Sequence, residues 1–269
     1  HGTYNEAVDF GSKNLVLQGD AADPSAVVLD GTGLNVSVVS IVDGQDASSR
    51  LIGLTIANGS AGSPLPGQPN SRIGGGLFVR NASPTIEYCV FHSNTSEFGG
   101  AIYLRNGSSS ILNCMFSKNS ATADGGALFS FGSSGHMNQC SVVENSAANH
   151  GGGIKIVLGE FQLVSTTVSE NSAFEGGGLY WFAGETSIPM RIDGCAITGN
   201  EALSEGGGIK TRPEFVGVDL IGTTVCENAP DQLIGDYLDD GGNTVCPNVD
   251  CNLNGLEDAD EIKSGAAAD

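Results

Sequence analysis

A row of proton-transferring side chains stands directly before glycine runs in the second half of the chain. Asp124, His150, Glu175 and Glu205 recur there at intervals of 26, 25 and 30 residues, and a lysine and a tyrosine follow two of the runs. An acid, an imidazole, an amine and a phenol held together could serve a polysaccharide lyase, hydrolase or epimerase as general acids and bases. If the protein is an enzyme, we expect its catalytic residues to be Asp124, His150, Lys155, Glu175 and Tyr180. Polar residues are equally usual in the surface turns of a repeat protein, so a purely structural role is the competing interpretation.

The residues after the glycines predict a binding surface. Because side chains alternate along a strand, the first and third residues after an inward-pointing apolar residue face outward. Rings beside cations are typical of surfaces that hold sugar rings and acidic glycans. We therefore predict a ligand-binding strip made of Phe78, Arg80, Tyr103, Arg105, Phe129, Lys155, Tyr180, Lys210 and Arg212. The alternative is that a loop such as residues 59–73, or a partner protein, covers these rings.

Residues 250–261 fit the calcium-loop pattern D-x-[DN]-x-[DN]-G-x5-E at every position. Calcium needs six or more oxygen ligands, and the glycine at the sixth position allows the sharp turn that brings them together. The predicted ligands are Asp250, Asn252, Asn254, Leu256 through its carbonyl, Asp258 and a bidentate Glu261. The segment resembles one half of a dockerin, although a dockerin has two such loops. The alternative is an acidic, disordered tail.

All of these residues lie on or beside an internal repeat. A double or triple glycine followed by an apolar residue occurs six times, with first glycines 25, 26, 26, 25 and 30 residues apart. An asparagine keeps the same interval at Asn94, Asn119, Asn145, Asn171, Asn200 and Asn228. Apolar residues stand three and eight positions before each asparagine, and their phase predicts two short strands with a bend between them. A third strand follows the glycines.

Three short strands and three turns in each repeat predict one coil of a parallel β-solenoid. Like residues then stack about 4.8 Å apart, and the asparagines form an internal ladder of side-chain hydrogen bonds. Asparagine and glycine also tolerate the left-handed conformation that sharp turns require. We predict an all-β, single-stranded right-handed parallel β-helix of about ten coils.

The repeat motifs resemble those of known families. Phe91-His92-Ser93-Asn94 before Gly99-Gly100-Ala101-Ile102 is similar to the FxxN and GGA[ILV] repeats of chlamydial polymorphic outer membrane proteins. More broadly, residues 3–228 look like the pectate-lyase-like parallel β-helix superfamily. This resemblance implies the fold, but the superfamily contains lyases, hydrolases, epimerases, adhesins and phage tailspikes. It therefore leaves the function open.

The seven cysteines fall into two groups. Cys89, Cys114, Cys140 and Cys195 share one column of the repeat with threonines, which predicts a packing role. Cys226, Cys246 and Cys251 lie in a polar region, where a disulfide between Cys226 and Cys246 would join the last coil to its cap. Such a bond is typical of an oxidising compartment.

Composition narrows the classes of function. The chain has 269 residues with a net charge of −20, which disfavours nucleic-acid binding, and it has no apolar run long enough to span a membrane.

We predict a β-helix over residues 1–228, a capping loop region over 229–249, the calcium loop over 250–261 and a disordered tail over 262–269. The favoured function is a non-catalytic extracellular or cell-surface protein that binds a glycan or a surface partner. The alternatives are an enzyme on acidic polysaccharide and a structural stalk.

Overall fold

The computed structural model of the protein describes residues 1–60, 72–184, 188–212 and 217–247. Within these residues the chain forms β-strands and one short 3-10 helix, Pro24–Ala26. The strands pair in parallel with strands about one repeat away in the sequence and form three sheets. The fold is therefore the predicted parallel β-helix. The predicted calcium loop and tail lie outside the described residues.

We name the three sheets faces A, B and C. Face A has ten strands, in the order Gly2–Tyr4, Val27–Asp30, Thr55–Ala57, Val90–His92, Met115–Ser117, Ser141–Val143, Thr167–Ser169, Ala196–Thr198, Thr224–Cys226 and Thr244–Val245. Face B has five strands, Thr95–Phe98, Ser120–Asp124, Ser146–Ala147, Ser172–Glu175 and Glu201–Glu205.

Face C has sixteen strands in two arms that share its two longest strands. The first arm contains Val8–Asp9, Val39–Val42, Leu77–Arg80, Ile102–Leu112, Leu128–Asn138, Ile154–Val157, Leu179–Phe182, Ile209–Thr211 and Leu233–Ile234. The second arm adds Val16–Gln18, Arg50–Ile52, Thr85–Glu87, Phe161–Val164, Met190–Asp193, Val218–Ile221 and Tyr237–Asp239.

The strand layout corrects three details of the sequence prediction. Face B, between the ladder asparagine and the glycines, was missed because its buried residues are small alanines rather than an alternating apolar pattern. The helix has about eight turns rather than about ten, because the terminal coils are incomplete. The predicted capping loops contain three short strands, at 233–234, 237–239 and 244–245, that pair with the preceding coil. The β-helix therefore continues beyond residue 228.

The asparagine ladder is confirmed. Asn119 Nδ2 donates to Asn145 Oδ1 at 2.9 Å, and Asn145 Nδ2 donates to Asn171 Oδ1 at 3.0 Å. The ladder side chains are at most 1% exposed, so each hydrogen bond lies in the interior. The left-handed residue is the one before the ladder position, such as Glu144 with φ of 56°, and not the asparagine as predicted. The ladder asparagine is thereby placed with its amide pointing inward.

The glycine runs are required for two reasons. The first glycine of a run is left-handed, as at Gly125 with φ of +67°. The second approaches the next coil so closely that a Cβ on Gly126 would collide with the carbonyl oxygen of Gly152. Together they allow face B to turn sharply into face C.

The cysteine column packs inside the helix, as predicted. Cys89, Cys114, Cys140 and Cys195 are free and buried. The Cys114 thiol donates to the Leu112 carbonyl at 3.2 Å, and the Thr166 hydroxyl donates to the Val164 carbonyl at 2.9 Å. Cysteine and threonine can occupy the same column because each can donate to the carbonyl two residues earlier. The other predicted pair, Cys226 and Cys246, is a disulfide that joins the last two strands of face A, with Cα atoms 4.9 Å apart.

Candidate functional site

The predicted site residues flank the corner where face B turns into face C, which we call the glycine seam. The column before the glycines is Ile73, Phe98, Asp124, His150, Glu175 and Glu205, stacked in register. The column after the glycines is Phe78, Tyr103, Phe129, Lys155, Tyr180 and Lys210, also stacked in register. The two columns contact each other across the turn.

This contact corrects the prediction of an exposed aromatic and basic strip. The column after the glycines is buried, with exposed fractions of 3% at Phe78 and Tyr103, 7% at Phe129, 8% at Lys155, 4% at Tyr180 and 7% at Lys210. The left-handed glycines turn face B toward face C, so that the side chains of the preceding column pack against these outward residues. The rings of the seam therefore cannot act as an open stacking platform.

The first half of the seam is apolar. The Tyr103 and Phe129 rings are stacked with centroids 5.3 Å apart, and Phe98 meets Phe129 edge-on at 5.4 Å. Ile73 and Phe78 complete a small cluster that is separate from the main core. This half is a closed packing unit with little surface for a ligand.

The second half of the seam is charged and contains the five residues predicted for catalysis. Asp124 Oδ1 lies 2.7 Å from His150 Nδ1, and Asp124 Oδ2 lies 2.9 Å from Lys155 Nζ. Glu175 Oε2 is 3.8 Å from His150 Nε2, and the Tyr180 ring centroid is 4.6 Å from that of His150. In the next coil Lys210 forms an ion pair with Glu205. The structure thus brings together side chains from three consecutive coils.

The Nδ1 atom of His150 faces two charged partners. Nδ1 lies near both the Asp124 carboxylate and, at 3.1 Å, Lys155 Nζ. A neutral ring nitrogen can donate to the first or accept from the second, but not both. The shorter distance and the carboxylate acceptor favour an Nδ1–H donor to Asp124. On the other side of the ring, His150 Nε2 lies 3.8 Å from Glu175 Oε2.

Burial and charge shift two pKa values in this cluster. Burial raises the pKa of Asp124, but the hydrogen bond from His150 and the charge of Lys155 outweigh that effect, so the pKa lies below its ordinary value. Burial lowers the pKa of Lys155, and the neighbouring Asp124 carboxylate offsets only part of this. Asp124 is therefore an anion at neutral pH. The Lys155 ammonium gives up its proton more readily than the ammonium of an exposed lysine.

The remaining predicted ligand residues lie one column further along face C. Arg80 is held at 2.8 Å by Asp43, whereas Arg105 and Arg212 lie over the rings of Phe131 and Phe182. The Arg212 guanidinium carbon is 4.6 Å from the Phe182 centroid. Arg212 is exposed, and Arg80 and Arg105 are half-buried.

The sequence prediction missed a neighbouring surface on face B. Phe174 is 48% exposed and Leu203 is 79% exposed, and both line an open groove of about 350 Å³ beside the charged half of the seam. Glu201 also lines this groove. A large apolar residue shortly before a glycine run, such as Phe174 or Leu203, is the only signal of this surface in the sequence, and it does not reveal exposure.

Neither a membrane-spanning helix nor a metal-binding cluster is found among the described residues. No helix in these parts of the chain is long and apolar enough to cross a membrane. No group of three or more histidine, cysteine, aspartate or glutamate side chains in the same ranges is arranged to hold a metal ion. The predicted calcium ligands, from Asp250 to Glu261, fall outside them.

Comparison with known proteins gives one match. A family described as "Right handed beta helix region" matches residues 39–224, which include the whole glycine seam. No curated protein and no solved structure matches the chain.

Proposed function

Because the chain belongs to the right-handed β-helix family, we propose that it is a rigid scaffold that binds a glycan beside the charged half of the glycine seam. The binding is non-catalytic. The site combines the half-exposed polar groups of the seam with the open groove on face B.

The observation that carries this proposal is the row of partly exposed polar groups next to an exposed ring. The side chains of His150, Glu175 and Glu205 are 31%, 23% and 41% exposed. They stack along the helix axis, and Phe174 precedes Glu175 on the same strand. Carboxylates and imidazole can bond to sugar hydroxyls while a ring packs against the apolar face of a sugar.

The charges favour a neutral glycan over an acidic one. Lys155 and Lys210, which the sequence analysis assigned to acidic-sugar recognition, are buried and paired with Asp124 and Glu205. The accessible groups of the charged half are mainly carboxylates, and the whole chain carries a net charge of −20. Both would repel uronic-acid polymers.

A glycan array followed by calorimetric titration tests the proposal. Glu175→Gln and Phe174→Ala should each weaken binding of the best neutral glycan by about tenfold, the scale of one lost polar or aromatic contact. Glu160→Gln is the matched control, because that carboxylate is exposed and lies outside the seam. Equal affinity in all four proteins would show that the glycan binds elsewhere.

A second candidate, an enzyme on polysaccharide, is favoured by the Asp124–His150 pair. A buried carboxylate that holds Nδ1–H orients an imidazole whose Nε2 can act as a general base. His150→Gln should then abolish release of unsaturated products or new reducing ends, whereas loss of a binding contact alone would only weaken affinity by about tenfold. Product release by the wild type but not by the His150→Gln variant would mean that the protein is an enzyme and not a binding protein. If neither binding nor products are found, a structural stalk is the remaining candidate.

We also propose an extracellular or cell-surface location and a calcium-binding tail. The disulfide between Cys226 and Cys246 supports the location, because such bonds persist in oxidising compartments.

The calcium site rests on the sequence pattern of residues 250–261 alone. Calorimetry should detect one Ca²⁺ site that disappears in Glu261→Ala, which lacks the bidentate ligand. Equal uptake by the two proteins would eliminate this site.

A further inference from the structure

A second corner of the helix carries an open groove of about 510 Å³, within the range of small-ligand sites. It lies where the second arm of face C turns into face A, away from the glycine seam. Tyr88, Asn113, Gln139 and Ser165, from four consecutive coils, lie along it, and the segment with Ala21 and Pro24 lines it at the N-terminal side. We call it the Tyr88 groove.

The turn that forms this corner requires a left-handed residue in every regular coil. The residues at this position are Gly53, Tyr88, Asn113, Gln139, Ser165, Gly194 and Gly222, with φ between 46° and 61°. Glycine and asparagine adopt this conformation readily, whereas a large aromatic residue with positive φ is a genuine outlier. Tyr88 is therefore the most strained choice in the column.

Packing buries the Tyr88 ring only in part. Tyr88 is 42% exposed, so its ring contributes much less burial than the rings of the core. Residues in costly backbone conformations persist where the surrounding structure or a function retains them. The ring stands at the groove, beside Met115, which is 43% exposed.

The groove has the chemistry of a neutral, hydroxyl-bearing ring ligand. An aromatic ring and a thioether supply apolar contact, while the amides of Asn113 and Gln139 and the hydroxyl of Ser141 can donate and accept hydrogen bonds. No lysine, arginine, histidine, aspartate or glutamate lines the groove. An anionic ligand would find no cation there, within a chain of net charge −20.

We propose that the Tyr88 groove binds a pyranose unit of a neutral glycan, with the sugar ring stacked on Tyr88 and its hydroxyls bonded to the amides of Asn113 and Gln139. This site is independent of the glycan site proposed at the glycine seam. It adds a second binding surface on a different corner of the same rigid helix.

Titration with cellotetraose, maltotetraose, mannotetraose and chitotetraose tests the proposal, with Glu175→Gln as the background protein so that the seam is impaired. At least one of the four should bind. Tyr88→Asn should weaken that binding by about tenfold, the loss of one aromatic contact. It should also raise Tm by about 2–4 °C, because asparagine tolerates the left-handed backbone. Gln139→Ala should weaken the same binding without raising Tm.

Tyr237→Asn is the matched control, because Tyr237 is 43% exposed and lies in a face C strand near the C-terminal end of the described chain. It should leave the affinity unchanged. Failure of all four oligosaccharides to bind would overturn the proposal, as would full affinity in the Tyr88→Asn protein. A lower Tm in Tyr88→Asn would show that the ring is retained for packing and would also overturn it. Loss of glycan binding at the seam in Glu175→Gln does not affect the prediction for the Tyr88 groove. Each of the two proposals can therefore be contradicted without the other.

Discussion

The two halves of the glycine seam have the same backbone conformation and differ in their side chains. The first glycine of each run has nearly the same φ, 64° at Gly99 in the apolar half and 63° at Gly176 in the charged half. Phe98 packs on Phe129 from the next coil, and Asp124 bonds to Lys155 from the next coil, so even the pairing across the turn is the same. One half is a closed cluster and the other keeps polar groups half-open to solvent.

The comparison of the two halves shows which side chains are needed for packing at this corner and which are not. Replacing a buried ion pair by apolar residues of similar size is often neutral or stabilising. The apolar half shows that this corner accepts such residues in the same backbone. The charges at Asp124, His150 and Lys155 are therefore not needed to close the seam, which is why we assign the function to this half.

The largest expected effect is on packing in the apolar half. Phe129→Ala should reduce the free energy of unfolding by about 3–4 kcal/mol, because the ring contacts both Phe98 and Tyr103 and truncation leaves a cavity. Urea denaturation measures this loss. Phe174→Ala, which removes an exposed ring, should change stability by less than about 0.5 kcal/mol. Similar losses in the two variants would mean that the apolar half is not a packed unit.

The next effect tests whether the charged half can be converted into the apolar half. Asp124→Ala should reduce the free energy of unfolding by about 3 kcal/mol, because it removes the direct carboxylate partner of the buried Lys155 ammonium. The double variant Asp124→Leu with Lys155→Met should return to within about 1 kcal/mol of the wild type. A double variant as unstable as the single one would show that this half needs its charges to fold.

The asparagine ladder should support both halves equally. Asn94→Ala and Asn171→Ala should each reduce stability by about 1–3 kcal/mol, because each leaves buried hydrogen-bond partners unsatisfied. Thermal unfolding of the two variants measures this directly. An unchanged Tm in either would place that asparagine outside the ladder, and a large difference between them would mean that the backbone beneath the two halves is not equivalent.

The smallest effect is a difference in response to acid. The lowered pKa of Asp124 stabilises the folded state only while the carboxylate is ionised, so its contribution is present above the unfolded pKa and is lost as the pH falls through the folded value. The stability difference between the wild type and Asp124→Asn should therefore shrink below about pH 4. The difference between the wild type and Phe129→Ala should not narrow over the same range. A constant difference for Asp124→Asn would contradict the pairing seen here.

Some features could be predicted from the sequence because the same residue types recur at equivalent positions in many repeats. Six asparagines at one interval are enough to predict a ladder, since stacked coils place equivalent residues directly above one another. The convergence of Asp124, His150, Lys155, Glu175 and Tyr180 followed for the same reason. The sequence shows three cysteines near its C-terminal end, Cys226, Cys246 and Cys251, and the structure shows that Cys226 pairs with Cys246.

Other features depend on how strongly the chain bends at each corner, which periodicity does not encode. Alternation correctly placed Phe78, Tyr103 and Tyr180 on the outside of face C, yet all three are buried because the glycines turn face B toward them. The exposed Phe174 and the strained Tyr88 went unnoticed, since exposure and φ are properties of the folded corner and not of the repeat. The sequence by itself determined the coil, its ladder and which residues stack. Only the tertiary structure decided which of those stacks meet solvent, because burial depends on the angle between neighbouring faces.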